Sequence, residues 1–126
     1  MKELLFVAGG GAAGAVLRHL VNVAFGPRAE GSFPLATFVV NLVGCLLLGG
    51  FLAWTEGREA IPDGLRLAVA TGFLGALTTF STFVADGRGL LVESAGPKAA
   101  AYLLLSVALG YAAFEAGRAL ARLAAA

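Results

Sequence analysis

The residues in this sequence able to do chemistry are neutral, and they sit where hydrocarbon is expected. Asn41 stands near the middle of an uncharged run of 25 residues, Gly31 to Thr55. Thr78, Thr79, Ser81 and Thr82 place four hydroxyls in a second uncharged run of 19 residues, Leu67 to Ala85. Tyr102 and Ser106 lie one helical turn apart in a third, the 16 residues from Ala99 to Phe114. An amide or hydroxyl in hydrocarbon is costly unless partnered. Neutral donors replace water's hydrogen bonds around a small, strongly hydrated anion, without the full charge that would hold it too tightly for release. Phe80 and Phe83 flank the hydroxyls at i, i+3 spacing and share one face if that segment is helical. Aromatic ring edges are positive and can line an anion path. Taken singly, each of these residues also reads as packing, since Ser and Thr fill helix interfaces and Phe faces lipid or core.

The stretch Gly72 to Phe83, GFLGALTTFSTF, is a poor plain helix although its run is long enough to cross a bilayer. Gly72 and Gly75 lower helix propensity, and the hydroxyl cluster follows directly. Break-prone polar backbone at membrane depth is tolerated where it is buried in protein or lines a watery cavity. The sequence therefore predicts a third span that is broken mid-membrane, near Gly75.

Composition sets the class. The chain has 126 residues, 59% of them hydrophobic and 13% charged, about half the charged share of a soluble protein. The apolar residues arrive in long blocks. These features define a single all-α integral membrane domain over residues 1–126, with four spans at about 3–25, 32–55, 65–86 and 98–120. A net charge of +1 gives no basic stripe for nucleic acid. Cys45 is the only cysteine, so no intrachain disulfide forms, and inside an apolar run it reads as a small buried hydrophobe. The N-terminal apolar run continues past Arg18 to Phe25 and is read as the first span, not as a signal peptide.

No catalytic constellation is legible. His19 is the only histidine, the apolar cores of the three central spans hold no carboxylate, and Glu115 falls near a span end. An enzyme needs a base with an orienting partner or a cofactor motif. GGGAAG in the first span has no strand before it; Gly10 and Gly14 read instead as a GxxxG face for close helix packing. Trp54 suits an interfacial belt. Asp86, Arg88 and Glu93 mark the exit of span three, and Gly96-Pro97 makes the next turn. Arg18, the one strongly basic group deep in a span, either snorkels to the interface or gives a vestibule positive potential.

TTFSTF with the preceding GFLGAL, GGGAAGAVLRHL near the N-terminus, and FPLATFVVNLVGCLLLG in the second span resemble, in order, the motifs of the Fluc (CrcB-type) fluoride channels. The resemblance covers essentially the whole chain. It implies a passive, fluoride-selective channel in a bacterial cell membrane, built as an antiparallel, dual-topology homodimer and exporting a toxic anion. It also implies roles. Asn41 would donate to the anion at a pore mouth, Phe80 and Phe83 would line its path beside Ser81 and Thr82, and Tyr102 and Ser106 would form a polar track. Gly110 continues the line of that track without a hydroxyl. Gly75 and Thr78 would offer backbone carbonyls to a central structural Na⁺. His19 stands where the family often has an aromatic residue.

Two other readings compete. A small proton-coupled multidrug exporter also has four short spans, but needs a membrane-embedded carboxylate. A non-conducting subunit of a larger membrane assembly fits the composition equally well.

Four spans put both termini and the second loop on one side. That side carries Lys2, Arg58, Arg66, Arg118 and Arg122; the other carries Arg28, Arg88 and Lys98, with Arg18 as a fourth if it belongs there. A difference this small fixes orientation weakly. Reporter tags on the C-terminus are therefore expected on both sides of the membrane. A single uniform orientation would rule out an antiparallel dimer.

Overall fold

The computed structural model describes residues 1–125. Among these residues it is all-helical, with four stretches long and apolar enough to span a membrane: Lys2–Phe25, Leu35–Thr55, Asp63–Val92 and Gly96–Ala124. The first, second and fourth are single helices, α1 (Lys2–Phe25), α2 (Leu35–Thr55) and α6 (Gly96–Ala124). The third is composite. It opens with α3 (Asp63–Arg66), widens into π-helical turns over Leu67–Leu74, and continues as α4 (Gly75–Leu77) and α5 (Phe80–Val92).

Glycine decides which helices pair. Lipid is as apolar as leucine, so helix association in a membrane rests on close packing rather than on hydrophobic burial. A Cβ on Gly10 would run into the Ala68 carbonyl and one on Gly14 into the Phe73 carbonyl, while one on Gly72 would meet the Val7 carbonyl at 2.7 Å. The GxxxG face of α1 thus lies backbone-on-backbone against the π-helical half of span three. A second seam joins α2 to α6, where a Cβ on Gly49 would strike the Phe114 carbonyl and one on Gly117 the Leu46 carbonyl. Between the seams lie two small apolar clusters, one of Phe83, Leu90, Ala99 and Tyr102, the other of Val40, Leu74 and Leu77.

Two sequence expectations are corrected here. Asp86 and Arg88 do not mark an exit, because α5 runs on to Val92. Asp86 is half-buried inside that helix, where it accepts hydrogen bonds, while Arg88 is exposed. Nor is Gly96-Pro97 the turn. Pro97 sits in the first turn of α6, where its missing N–H costs nothing, and the reversal is made by Glu93 to Ala95. Ser94 adopts φ 57°, and the Ala95 and Ser94 N–H groups donate back to the Leu90 and Leu91 carbonyls at 2.9 and 3.2 Å. This is a Schellman closure with serine at the position glycine usually holds.

The two rims are tied by charge. At one, the Arg28 guanidinium grips Glu93 with both nitrogens, at 2.6 and 2.9 Å. Gly31, at φ 65°, donates its N–H to Glu93 at 2.7 Å and accepts from Lys98 Nζ at 2.7 Å. At the other rim, Arg66 donates to the Thr55 and Arg58 carbonyls at 2.8 and 2.9 Å, and Arg58 lies over the Trp54 ring.

Arg28, with help from the Gly31 N–H, holds the Glu93 carboxyl below its ordinary value of 4.5. A depressed carboxyl contributes stability that is present above the ordinary value and lost as pH falls through the lower, folded-state value. Thermal unfolding in detergent should therefore hold steady down to about pH 4.5 and decline below it. Glu93→Gln should flatten that decline; identical acid profiles for the two proteins would mean that the clamp contributes nothing.

Candidate functional site

The site grows from two extended residues. α4 ends at Leu77, Thr78 takes φ −77°, ψ 156°, Thr79 takes φ −149°, ψ 116°, and α5 starts at Phe80. Asn41 of α2 holds this segment. Its Oδ1 accepts the Thr79 N–H at 2.8 Å and its Nδ2 donates to the Thr79 carbonyl at 3.2 Å, the pairing that a neighbouring strand would give. Only an oxygen can meet that N–H, so the orientation of the amide is fixed and one of its two N–H bonds remains for the cavity it lines.

The chain ends on either side are closed locally. Thr78 donates its hydroxyl to the Leu74 carbonyl at 3.0 Å, finishing α4. Thr79 caps α5, its Oγ1 accepting the Thr82 N–H at 3.2 Å and donating to Thr82 Oγ1 at 3.0 Å. Close approach to α2 requires Gly44, where a Cβ would collide with Thr78 Cγ2. Helical dihedrals persist at Gly75, so the interruption falls three residues beyond the expected place. Glycine merely weakens a helix, whereas hydroxyls and an amide that compete for its N–H groups end it.

This arrangement strips two carbonyls of their usual donors. In an unbroken helix the Gly75 and Thr78 carbonyls would receive the Thr79 and Thr82 N–H groups. Here those groups go to Asn41 and to the Thr79 hydroxyl. Gly75 is exposed on the single chain and Thr78 is half-buried.

Phe83 packs against Tyr102 at 5.3 Å between centroids, and it lines the first of two cavities. The first, of about 240 Å³, is lined by Asn41, Cys45, Thr79, Phe80, Phe83 and Ser106, among others. Phe83 is buried, but Phe80 is 77% exposed. Ser106 Oγ is buried with no hydrogen-bond partner among the described residues. The second, of about 380 Å³, includes Arg28, Thr37, Thr82 and Asp86. Thr37 donates to Asp86 at 2.7 Å, and the Tyr102 hydroxyl points at the same oxygen at 3.5 Å. Tyr102 lines neither cavity but touches a residue of each, Phe83 of the first and Asp86 of the second.

The structure brings Asn41, Phe80, Phe83 and Ser106 to one cavity and Thr82 to the other. Ser81 is exposed, 3.4 Å from the Thr79 hydroxyl. Arg18 stands apart, half-buried on α1. Sequence reasoning missed the pinning role of Thr79, whose place ahead of a helical run was a capping signal. It also missed Thr37 and Asp86. Thr37 lies one turn before Asn41, and Asp86 one turn beyond Thr82, so helical spacing alone places them along the same faces.

The fold and site define a multi-pass helical membrane protein whose interior polar groups are mostly neutral. Residues 5–118 match the model of the CrcB-like protein family, described as camphor resistance (CrcB). The chain belongs to that family. It is 38% identical over 123 residues to a protein of Maridesulfovibrio salexigens, covering 98% of each chain. It is 47% identical to one of Deinococcus radiodurans over 92% of each, and 47% identical to one of Ignicoccus hospitalis over 97% of each. All three relatives are named fluoride-specific ion channel FluC.

Asn41→Ala would leave the Thr79 N–H and carbonyl unpaired, at about 1–3 kcal/mol for each buried group. Asn41→Asp would keep the acceptor but set a carboxylate oxygen against the Thr79 carbonyl. Both variants should unfold more readily in detergent and expose the Thr79 amide to hydrogen exchange. Wild-type stability with a protected Thr79 amide in both would contradict the pinning role.

Proposed function

We propose that this protein is a fluoride-selective channel, passing the ion passively down its gradient, and that it is not an enzyme. The observation that carries this reading is the unpartnered Ser106 hydroxyl in a cavity walled by Phe80 and Phe83, in a chain whose full-length relatives bear the name of fluoride channels. A buried orphan donor is costly, and a small anion accepting its hydrogen bond removes that cost. The remaining Asn41 N–H is a second donor to the same space. Ring edges of Phe80 and Phe83 add weaker attraction.

The ion then passes the Phe83–Tyr102 pair into the second cavity, along the Tyr102 and Ser106 track, with Ser81 and Thr82 as further hydroxyls. That second cavity is lined by Arg28 as well as Asp86, and the carboxylate of Asp86 discourages an anion from resting there, which favours release. Arg18 supplies positive potential to a vestibule. Asp86 is the membrane carboxylate that a proton-coupled exporter would need, but it is engaged by Thr37 and the relatives' names favour the channel.

The active unit in this proposal is an antiparallel homodimer with the interruption of span three at mid-bilayer. What supports it is the exposed Gly75 and Phe80 on the single chain, together with the carbonyls deprived of their helical donors. Polar backbone left against lipid costs several kcal/mol per group, so that face calls for cover. A second copy related by a two-fold axis doubles the carbonyl set of Gly75 and Thr78. Carbonyl oxygens suit a hard cation, so these residues would hold a structural Na⁺, whose positive charge would offset the carbonyl dipoles without accompanying the anion.

Reconstituted protein should pass fluoride at least tenfold faster than chloride at equal gradient, roughly 1.4 kcal/mol of discrimination. Comparable chloride flux would sink the assignment. Gly75→Val tests the dimer. Within one chain a Cβ there meets only the Ala70 carbonyl at 3.6 Å, an ordinary contact. The variant should therefore fold as a monomer yet assemble poorly and lose flux; normal dimers with normal flux would remove Gly75 from the centre.

A further inference from the structure

We propose that Arg28 draws the anion to the mouth of the second cavity, and that Glu93, its ion-pair partner, sets how strongly it does so. The guanidinium is held from several directions. Its Nη1 donates to Glu93 and to the Ser32 carbonyl, each at 2.9 Å, and its Nη2 donates to Glu93 at 2.6 Å. It rests over Gly89, where a Cβ would come within 3.3 Å of Nη2. Asp86, Gly89 and Glu93 follow one another at helical spacing, so the cation sits along the face of α5 that carries Asp86. These bonds use three of the five N–H groups of the guanidinium. The Nε–H and one N–H of Nη2 have no partner among the described residues.

The pair is oriented. Arg28 lines the second cavity and Glu93 does not, so the positive end of the pair is the one presented to that space. Lys98, the other cation tied to this rim, does not line the cavity and donates to the Gly31 carbonyl at 2.7 Å. The side chains of Arg28 and Glu93 are 27% and 20% exposed, which leaves their charges only partly screened. A cation at the mouth raises the local concentration of an anion. Asp86 in the same cavity opposes a long stay, so entry is helped without trapping the ion. The inference rests on the fluoride reading and adds a charged mouth to a path whose interior donors are neutral.

The test is fluoride efflux from proteoliposomes, measured against fluoride concentration at constant ionic strength and neutral pH. Arg28→Gln should raise the half-saturating concentration at least about threefold. Glu93→Gln, which removes the compensating charge but keeps an acceptor oxygen, should lower it by a similar factor. The opposite signs are decisive, because both substitutions break the same ion pair. If the pair served only to fasten the loop, both would loosen it and shift efflux in the same direction. Shifts of the same sign, or none, would overturn the proposal. Should Arg28→Gln fail to fold, a lowered value for Glu93→Gln supports the proposal and an unchanged or raised one overturns it. Should Glu93→Gln fail to fold, Arg28→Gln decides. A raised half-saturating concentration at an unchanged maximal rate supports the proposal, and a fall in maximal rate alone overturns it. Wild-type protein that passes no fluoride overturns the fluoride reading and this inference with it, whereas a conducting wild type with same-sign shifts overturns this inference alone.

Discussion

Everything in this protein hangs on the pairing of Asn41 with the backbone of Thr79. A helix in a membrane satisfies its own N–H and carbonyl groups, and any departure must find partners within the protein. Thr78 and Thr79 depart from helical geometry, and a single amide on α2 supplies both an acceptor and a donor to the Thr79 backbone. Without that amide the Thr79 N–H and carbonyl would lose the partners they have in this structure. With it, α5 can begin afresh, capped by the Thr79 hydroxyl, and turn Phe83 inward against Tyr102. The same substitution of partners leaves the Gly75 and Thr78 carbonyls without their helical donors.

The pairing works only because the frame brings α2 close. Gly44 makes room for Thr78, while Gly49 and Gly117 seat α2 against α6 and Gly10, Gly14 and Gly72 seat α1 against the π-helical turns. The apolar surface is largely outward, as lipid requires, and little of the order comes from a buried core. Position is set by backbone contact along the glycine seams, and chemistry by the few polar groups left between them.

The class of fold was legible from apolar blocks and their lengths, and the partner-seeking nature of Gly10 and Gly14 from their spacing. Asn41, Phe80, Phe83 and Ser106 announced themselves as polar or aromatic residues in uncharged runs, and they meet at one cavity. What escaped was whatever depends on a partner distant in sequence. Gly49 and Gly117 look like any membrane glycines until each is seen against the other helix. Asp86 reads as a loop charge by proximity to Arg88, and its partners, the Thr37 and Tyr102 hydroxyls, come from helices distant in sequence. The interruption was expected near Gly75 from propensity; the residues with extended dihedrals are Thr78 and Thr79, where an amide and a hydroxyl compete for the N–H groups. Asn41 was expected to serve an anion. Most of its hydrogen-bonding capacity goes to the protein, with one N–H left over.

The most direct measurement is an experimental structure in a lipid nanodisc with Na⁺ and fluoride present. The expected result is an antiparallel pair with Thr78 and Thr79 extended in each copy. Asn41 should lie within hydrogen-bonding distance of both backbone groups of Thr79, and density for one cation should stand on the two-fold axis beside the Gly75 and Thr78 carbonyls. A continuous helix from Leu74 through Thr82, with Asn41 turned elsewhere and nothing on the axis, would contradict it.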